Sequence, residues 1–236
     1  MTDAGVFDSD FAYARIRALV TGGALSPQAL LSERALAERV GLGRTPVREA
    51  LKRLARDGLV QVVPMRGTFL RVPGADEVRE IYEVRLALEG MAAELAAERG
   101  ASPTLTDCAE RLRALAARDA GADLDAVQGL GWGFHDAVVG AARNARLVAV
   151  YDTVRLPIMT LRSTRPIEPA RILQTAGEHV AIYDAIVARD GALARRLIVG
   201  HLERAVIARV AVTDAPVDGA DATDSVARRR AAGRSR

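Results

Sequence analysis

Apolar residues recur at helical spacing along most of the chain, and the interruptions fall at glycine, proline and short polar runs. Over residues 10–21, Phe11, Ala14, Ile16, Ala18, Leu19 and Val20 predict a first short helix, ended by Gly22-Gly23. Ser32 is placed to cap a second helix that turns Leu36 and Val40 inward and closes at Gly41. A third helix is expected to start at Thr45-Pro46, with the threonine as cap and the proline at the first helical position, where no N–H is needed. Val47, Leu51, Leu54 and Ala55 then face inward until Gly58. Two β-prone runs follow, Leu59–Val63 and Thr68–Val72, joined by Pro64-Met65-Arg66-Gly67, which predicts a hairpin with a basic tip. Helices followed by such a hairpin read as a winged helix-turn-helix over residues 26–72.

Pro73-Gly74 reads as a linker, and the remainder as helix over segments 76–99, 103–119, 123–141, 144–164, 168–189 and 191–212. Short connections between long amphipathic helices imply an antiparallel bundle. Two irregularities are expected: a kink at Pro157, and a break at Gly129-Leu130-Gly131-Trp132-Gly133, whose glycines each cost a helix about 1 kcal/mol relative to alanine. The run after Asp214 has no periodicity and is expected to be disordered. The chain thus divides into a winged helix-turn-helix domain, 1–73, an all-helical domain, 74–213, and a tail, 214–236, and its fold class is mainly α.

Composition narrows the function classes. At 236 residues the chain has room for two domains, and no run of 18 apolar residues suggests a membrane span. The acidic N-terminus lacks the basic n-region of a signal peptide. Cys108 is the single cysteine, which excludes an internal disulfide, fits a reducing cytoplasm, and reads as a small core residue of a helix. Charge is uneven: residues 1–73 hold eleven basic side chains against seven acidic ones, so positive charge gathers where a polyanion would be met.

In a helix-turn-helix the second helix of the motif enters the major groove and reads base edges with its N-terminal residues. Arg44 lies just ahead of that helix and Arg48 near the end of its first turn, and arginine is suited to donate two parallel bonds to guanine. Thr45 and Lys52 are placed for backbone phosphate, Arg34 begins the preceding helix, and Arg66-Gly67 at the hairpin tip would reach the minor groove or the sugar-phosphate. The other reading of these arginines is decoration of a small helical domain. The run Leu31–Glu38, then Gly41–Leu51 with its Arg-Thr-Pro-Val-Arg-Glu-Ala-Leu string, then Leu54, Gly58-Leu59-Val60 and Arg66-Gly67-Thr68, resembles the GntR family of bacterial transcription regulators. That resemblance implies that Arg34, Arg44, Arg48 and Gly67 contact operator DNA.

The chain has three histidines, His135, His179 and His201, one on each of three different predicted helices. Imidazoles from neighbouring helices could converge on a Zn²⁺- or Ni²⁺-like ion, or be three unrelated residues at core edges and on the surface. Their surroundings (Arg85–Glu89, Phe134-His135, Asn144, Glu178-His179, Ile182, Ala185-Ile186, Asp190, His201-Leu202) resemble the FCD effector domain of the FadR subfamily. The resemblance implies that the three histidines, with an aspartate four residues before the first, bind a metal that helps hold a carboxylate effector. Gly131 stands at the aspartate's position, which leaves an open coordination place for a ligand carboxylate, water, or Gln128 or Asp125. Arg85 stands where the subfamily points an arginine at the effector; it could equally pair with Glu89 at spacing i, i+4. Arg155 and Arg162 are further cavity candidates, and Trp132 reads as core.

Together these features predict a cytoplasmic, homodimeric, effector-controlled transcription regulator, a repressor, that binds a short palindromic operator and is not an enzyme. A metal-dependent hydrolase built on the three histidines is the alternative; it lacks an evident general base and leaves the first domain without a role.

Overall fold

The computed structural model describes residues 3–22, 25, 30–117, 123–161 and 168–214, and over these it holds nine helices and one two-stranded sheet. The first unit comprises α1 (Asp3–Thr21), α2 (Glu33–Val40), α3 (Arg44–Arg56), β1 (Val60–Val63) and β2 (Gly67–Leu70). Its core is Leu36, Val40, Val47, Leu51, Leu54, Leu59 and Leu70 together with Ala12, Ile16 and Val20 of α1. The stripe Ala12–Ile16–Val20 at spacing i, i+4, i+8 is what seats α1, whereas Phe11, expected inward, is half exposed. That helix also starts earlier than residue 10, at Asp3.

The caps explain where the pattern was right and where it slipped. Ser32 caps α2 through the Ala35 N–H, and Gly41 ends it in the left-handed region at φ 73°. α3 begins two residues ahead of the expectation, with Gly43 as its cap and Thr45 inside the first turn. Pro46 still fits, since first-turn N–H groups have no intrahelical acceptor. The hairpin is shorter than predicted, pairing Val60 with Leu70 through to Val63 with Gly67. In its turn the Arg66 N–H donates to the Val63 carbonyl at 3.0 Å, Pro64 leads, and Met65 takes φ 61°, as in a type II turn.

The second unit is a bundle of α4 (Ala75–Arg99), α5 (Pro103–Ala116), α6 (Leu124–Ala141), α7 (Ala145–Met159), α8 (Pro169–Val187) and α9 (Gly191–Asp214). Ser102, Asp123 and Asn144 cap α5, α6 and α7. α9 packs along α4, brought close by small residues: a Cβ on Gly90 would lie 3.3 Å from Val199 Cγ2. α6 runs unbroken through Gly129–Gly133, against the expectation of a break. Burial of Val127, Phe134, Ala137 and Val138 against the neighbouring helices offsets the glycines' propensity cost.

α7 also departs from the prediction. It stops at Met159 rather than 164, so Pro157 lies in its last turn, where the Thr160 hydroxyl donates to the Pro157 carbonyl at 2.7 Å. This final turn joins the two units. Leu156 is buried within the first unit's core, while Ile158 and Leu161 pack with Val78, Ile81, Tyr82 and Leu202 of the bundle. The linker is braced as well, since Arg71 makes two bonds, 2.7 and 2.8 Å, to Glu77 in the first turn of α4. The tail expected to be disordered lies, from residue 215, outside the described residues. None of the described helices is long and apolar enough to cross a membrane.

Candidate functional site

Two surfaces carry chemistry. On the winged unit, Arg34, Arg44, Thr45, Arg48, Lys52 and Arg66 are all exposed, as a polyanion-binding face requires. Gly67 is half-buried at φ 112°, a backbone conformation that strains any side chain, and a Cβ there would also push aside the exposed Leu30, whose Cδ1 would lie 2.3 Å away. Arg34 and Lys52 make local pairs with Glu38 (3.5 Å) and Glu49 (2.8 Å). Arg48 is held differently, across helices, with Nε and a terminal nitrogen 2.8 and 2.9 Å from the two oxygens of Glu33. Arg44 reaches the same carboxylate at 3.3 Å.

Inside the bundle the three histidines converge. His135 from α6, His179 from α8 and His201 from α9 are all buried, and the Nε2 of His135 lies 3.3 Å from the Nε2 of each of the others. Two carboxylates fix the rings from behind: Glu89 of α4 meets His135 Nδ1 at 2.6 Å, and Glu178 of α8 meets His201 Nδ1 at 2.6 Å. Burial pushes the Glu89 carboxyl up, but Arg85 at 2.6 Å and His135 outweigh it and hold the group at about 2. Burial opposes ionisation of Glu178 too, yet His201, Arg171 and Arg204 hold it well below the usual carboxylate range. Both carboxylates are therefore ionised acceptors, so His135 and His201 donate from Nδ1.

That assignment decides what the cluster can hold. Burial lowers the His201 imidazole to about 4, only partly opposed by Glu178, and lowers His179 well below its ordinary value. With Nδ1 of each ring turned to a carboxylate, the Nε2 atoms of His135 and His201 face each other at 3.3 Å, where a divalent cation between them would satisfy both. A tetrahedral centre with Zn–N bonds of about 2.0–2.1 Å sets its nitrogens about 3.3–3.4 Å apart, which is the spacing of His135 Nε2 from each of the other two, and all three lie within 4.8 Å of one another. His179 Nδ1 is buried and has no hydrogen-bond partner among the described residues.

The cluster lines a partly open cavity whose empty space, counted out into the solvent at its mouth, is about 610 Å³. Arg85, Arg171 and Arg209 line it with Tyr82, Trp132 and Thr175. Arg85 meets both readings of it at once: its Nε pairs with Glu89 and its side chain lines the cavity. Trp132, expected in the core, is a half-buried wall with Arg209 5.5 Å above its ring. Arg155 does not line the cavity; it bonds Asp136 at 2.6 Å. Arg162 lies outside the described residues. Gly131 borders the cluster, and a Cβ there would stand 3.1 Å from His179 Cε1. Gln128 lines the cavity, and Asp125 is not among the lining residues. Sequence reasoning gave Glu89 only as a partner for Arg85 and had no role for Glu178, Arg171 or Arg209; the one local signal was Glu178 preceding His179 on a helix, with Arg171 seven residues before Glu178.

Two family models match the chain, one over each unit. The family described as bacterial regulatory proteins, gntR family, matches residues 8–70, and the FCD domain matches residues 80–204. The HTH-type transcriptional regulator LutR of Bacillus subtilis (strain 168) is 30% identical over 205 residues, covering 78% of this chain and 93% of that protein. A probable D-xylose utilization operon transcriptional repressor of Paenarthrobacter nicotinovorans is 30% identical over 196 residues, covering 78% of this chain and 80% of its own. The crystal structure of a putative transcriptional regulator GntR from Rhodococcus sp. RHA1 shares the fold, with a TM-score of 0.73 at 24% identity over 86% of this chain and 97% of that one. An arginine-bearing winged head joined to a histidine-lined helical bundle is therefore a DNA-binding regulator, and the chain belongs to the GntR family of bacterial regulatory proteins, in the branch that carries an FCD domain.

Proposed function

We propose that the chain is a homodimeric, cytoplasmic repressor that reads a short palindrome with Arg44 and Arg48 and releases or tightens it when a small carboxylic acid fills the histidine cavity. The observation that carries this reading is the cavity itself, which places three imidazole Nε2 atoms and three arginines around one space in the bundle. Residues 1–73 would form the DNA-binding domain and 74–213 the sensing and dimerising one, since a two-fold dimer matches two half-sites. Arg34, Thr45, Lys52 and Arg66 would meet phosphate or sugar, and the backbone at Gly67 would approach the groove closely. The repressor reading is supported by the relative named as one.

His135, His179 and His201 would hold a divalent ion, with Zn²⁺ or Ni²⁺ suited to imidazole donors. Such an ion supplies an electrophilic anchor for an anionic oxygen. The protein's own residues do the rest: Glu89 and Glu178 orient two rings, and Arg85 and Arg171 would surround the ligand in the space that Gly131 also lines. The unpartnered His179 Nδ1 would donate to a ligand oxygen. A hydrolase reading loses its base here, because both nearby carboxylates are committed to Nδ1 atoms and arginines.

α7 would carry the signal. Arg155 ties its last turns to Asp136, the neighbour of His135, while Leu156 sits in the DNA-binding core and Ile158 packs with Tyr82, which lines the cavity. A shift of that turn on filling the cavity would move the winged unit. The test is selection of a duplex from a random-sequence pool, followed by stoichiometry and competition at fixed salt. Two chains per palindromic duplex, bound far more tightly than random DNA, are expected; equal binding to random DNA would refute the reading.

A further inference from the structure

Glu33 occupies the first position of α2, behind the Ser32 cap, and its two oxygens collect both arginines assigned to base reading. The other ion pairs of Arg34 and Lys52 join residues three or four apart on one helix and are well exposed, so they constrain little. Glu33 instead bridges α2 to α3, and at 27% exposure it is the most sheltered carboxylate of this surface, against 67% for Glu38 and 54% for Glu49. The Arg48 bonds hold its carboxyl below the ordinary glutamate value, with Arg44 adding to the effect.

We propose that Glu33 is a positioning residue that fixes Arg48, and more loosely Arg44, for sequence readout and lowers the attraction of this surface for non-specific DNA. The geometry of Arg48 carries the first part. Its Nε and one terminal nitrogen are bonded to Glu33, which leaves the donors of the end-on edge, between the two terminal nitrogens, available on a side chain that is 52% exposed. That edge can donate two parallel bonds to guanine O6 and N7, and a guanidinium locked at its other edge loses less freedom when it does so. Charge carries the second part. The trio sums to one positive charge instead of two, so phosphates at random sequence are attracted less, while the paired bonds to a matching base are retained.

The inference rests on Arg44 and Arg48 being base readers, and the test separates the two ideas. Full-length Glu33→Gln and Glu33→Asp are compared with the parent and with Arg48→Ala on a selected operator and on a random duplex of equal length, across a salt series. Glu33→Gln should bind random DNA several-fold more tightly, with a log–log salt slope steeper by up to about one unit, and the operator-to-random ratio should fall about fivefold or more. Glu33→Asp keeps the charge but is one methylene short of both arginines, so its ratio should fall with the slope unchanged. A ratio equal to the parent's in both variants, or an equal change on both DNAs, would overturn the role of Glu33 while Arg48→Ala still abolishes the preference. Retained preference in Arg48→Ala would overturn the base-reader reading and the role of Glu33 with it.

Discussion

Glu89→Gln is the substitution that should report most sharply on how the bundle is built. Glu89 is fully buried and joins two partners, Arg85 at 2.6 Å and His135 Nδ1 at 2.6 Å. Removing its charge strands the guanidinium of Arg85, which is itself 2% exposed. Breaking a buried pair from one side costs about 3–5 kcal/mol, and the lower end applies because the amide oxygen can still accept one bond. For a chain of this size about 3 kcal/mol lowers Tm by roughly 6–12 °C. Loss of the carboxylate behind His135 should also weaken Zn²⁺ binding about 10–100-fold. Calorimetry and a competition titration with a chelating dye measure the two effects. The pair Arg85→Met with Glu89→Leu separates them, since an apolar replacement of both charges should restore much of the stability and none of the Zn²⁺ affinity. A Glu89→Gln variant that melts within about 2 °C of the parent and binds Zn²⁺ equally would refute the linkage from Arg85 through Glu89 to His135.

Other outcomes follow from single positions. Gly131→Asp should raise Zn²⁺ affinity at least about tenfold by adding an oxygen donor beside the imidazoles, provided the His179 ring yields by a few tenths of an ångström to the Cβ 3.1 Å away; isothermal titration measures it. Leu156→Ala empties a place in the first unit's core and should cost about 2–5 kcal/mol, retain operator binding at low temperature, and blunt its response to cavity ligands, as read by fluorescence anisotropy. Burial pushes the Cys108 thiol up to about 11, and the side chain is 6% exposed, so a disulfide reagent at pH 8 should label it only after guanidinium unfolding.

Local patterning made most of the architecture legible. Ser32, Gly41, Ser102-Pro103 and Asn144 act through neighbours within a turn, and the helices they delimit lie within a few residues of the expectation. The misses come from tertiary context. The glycines of α6 were expected to break it, yet packing of Val127, Phe134 and Val138 holds that helix, and no window of local propensity contains that packing. The histidines could be picked out because the chain has just three, and the resemblance paired them. Their meeting at 3.3 Å depends on α6, α8 and α9 sharing one interior, as does the role of Glu89, 46 residues from His135 in sequence. Arg155 was misplaced for the same reason: on a helix of alternating exposure, pattern alone does not tell a residue facing the cavity from one facing Asp136.

The most direct test of the account is operator affinity measured with the cavity filled and emptied, on one preparation. Chelated protein, Zn²⁺-loaded protein, and Zn²⁺-loaded protein with small carboxylic acids that raise its Tm would be titrated against the selected palindrome at fixed salt. The account predicts sequence-specific binding whose affinity changes by about 5–150-fold between the liganded and unliganded states, and a His135→Ala, His179→Ala variant in which that change is gone. Operator affinity that stays the same whatever occupies the three histidines would contradict it.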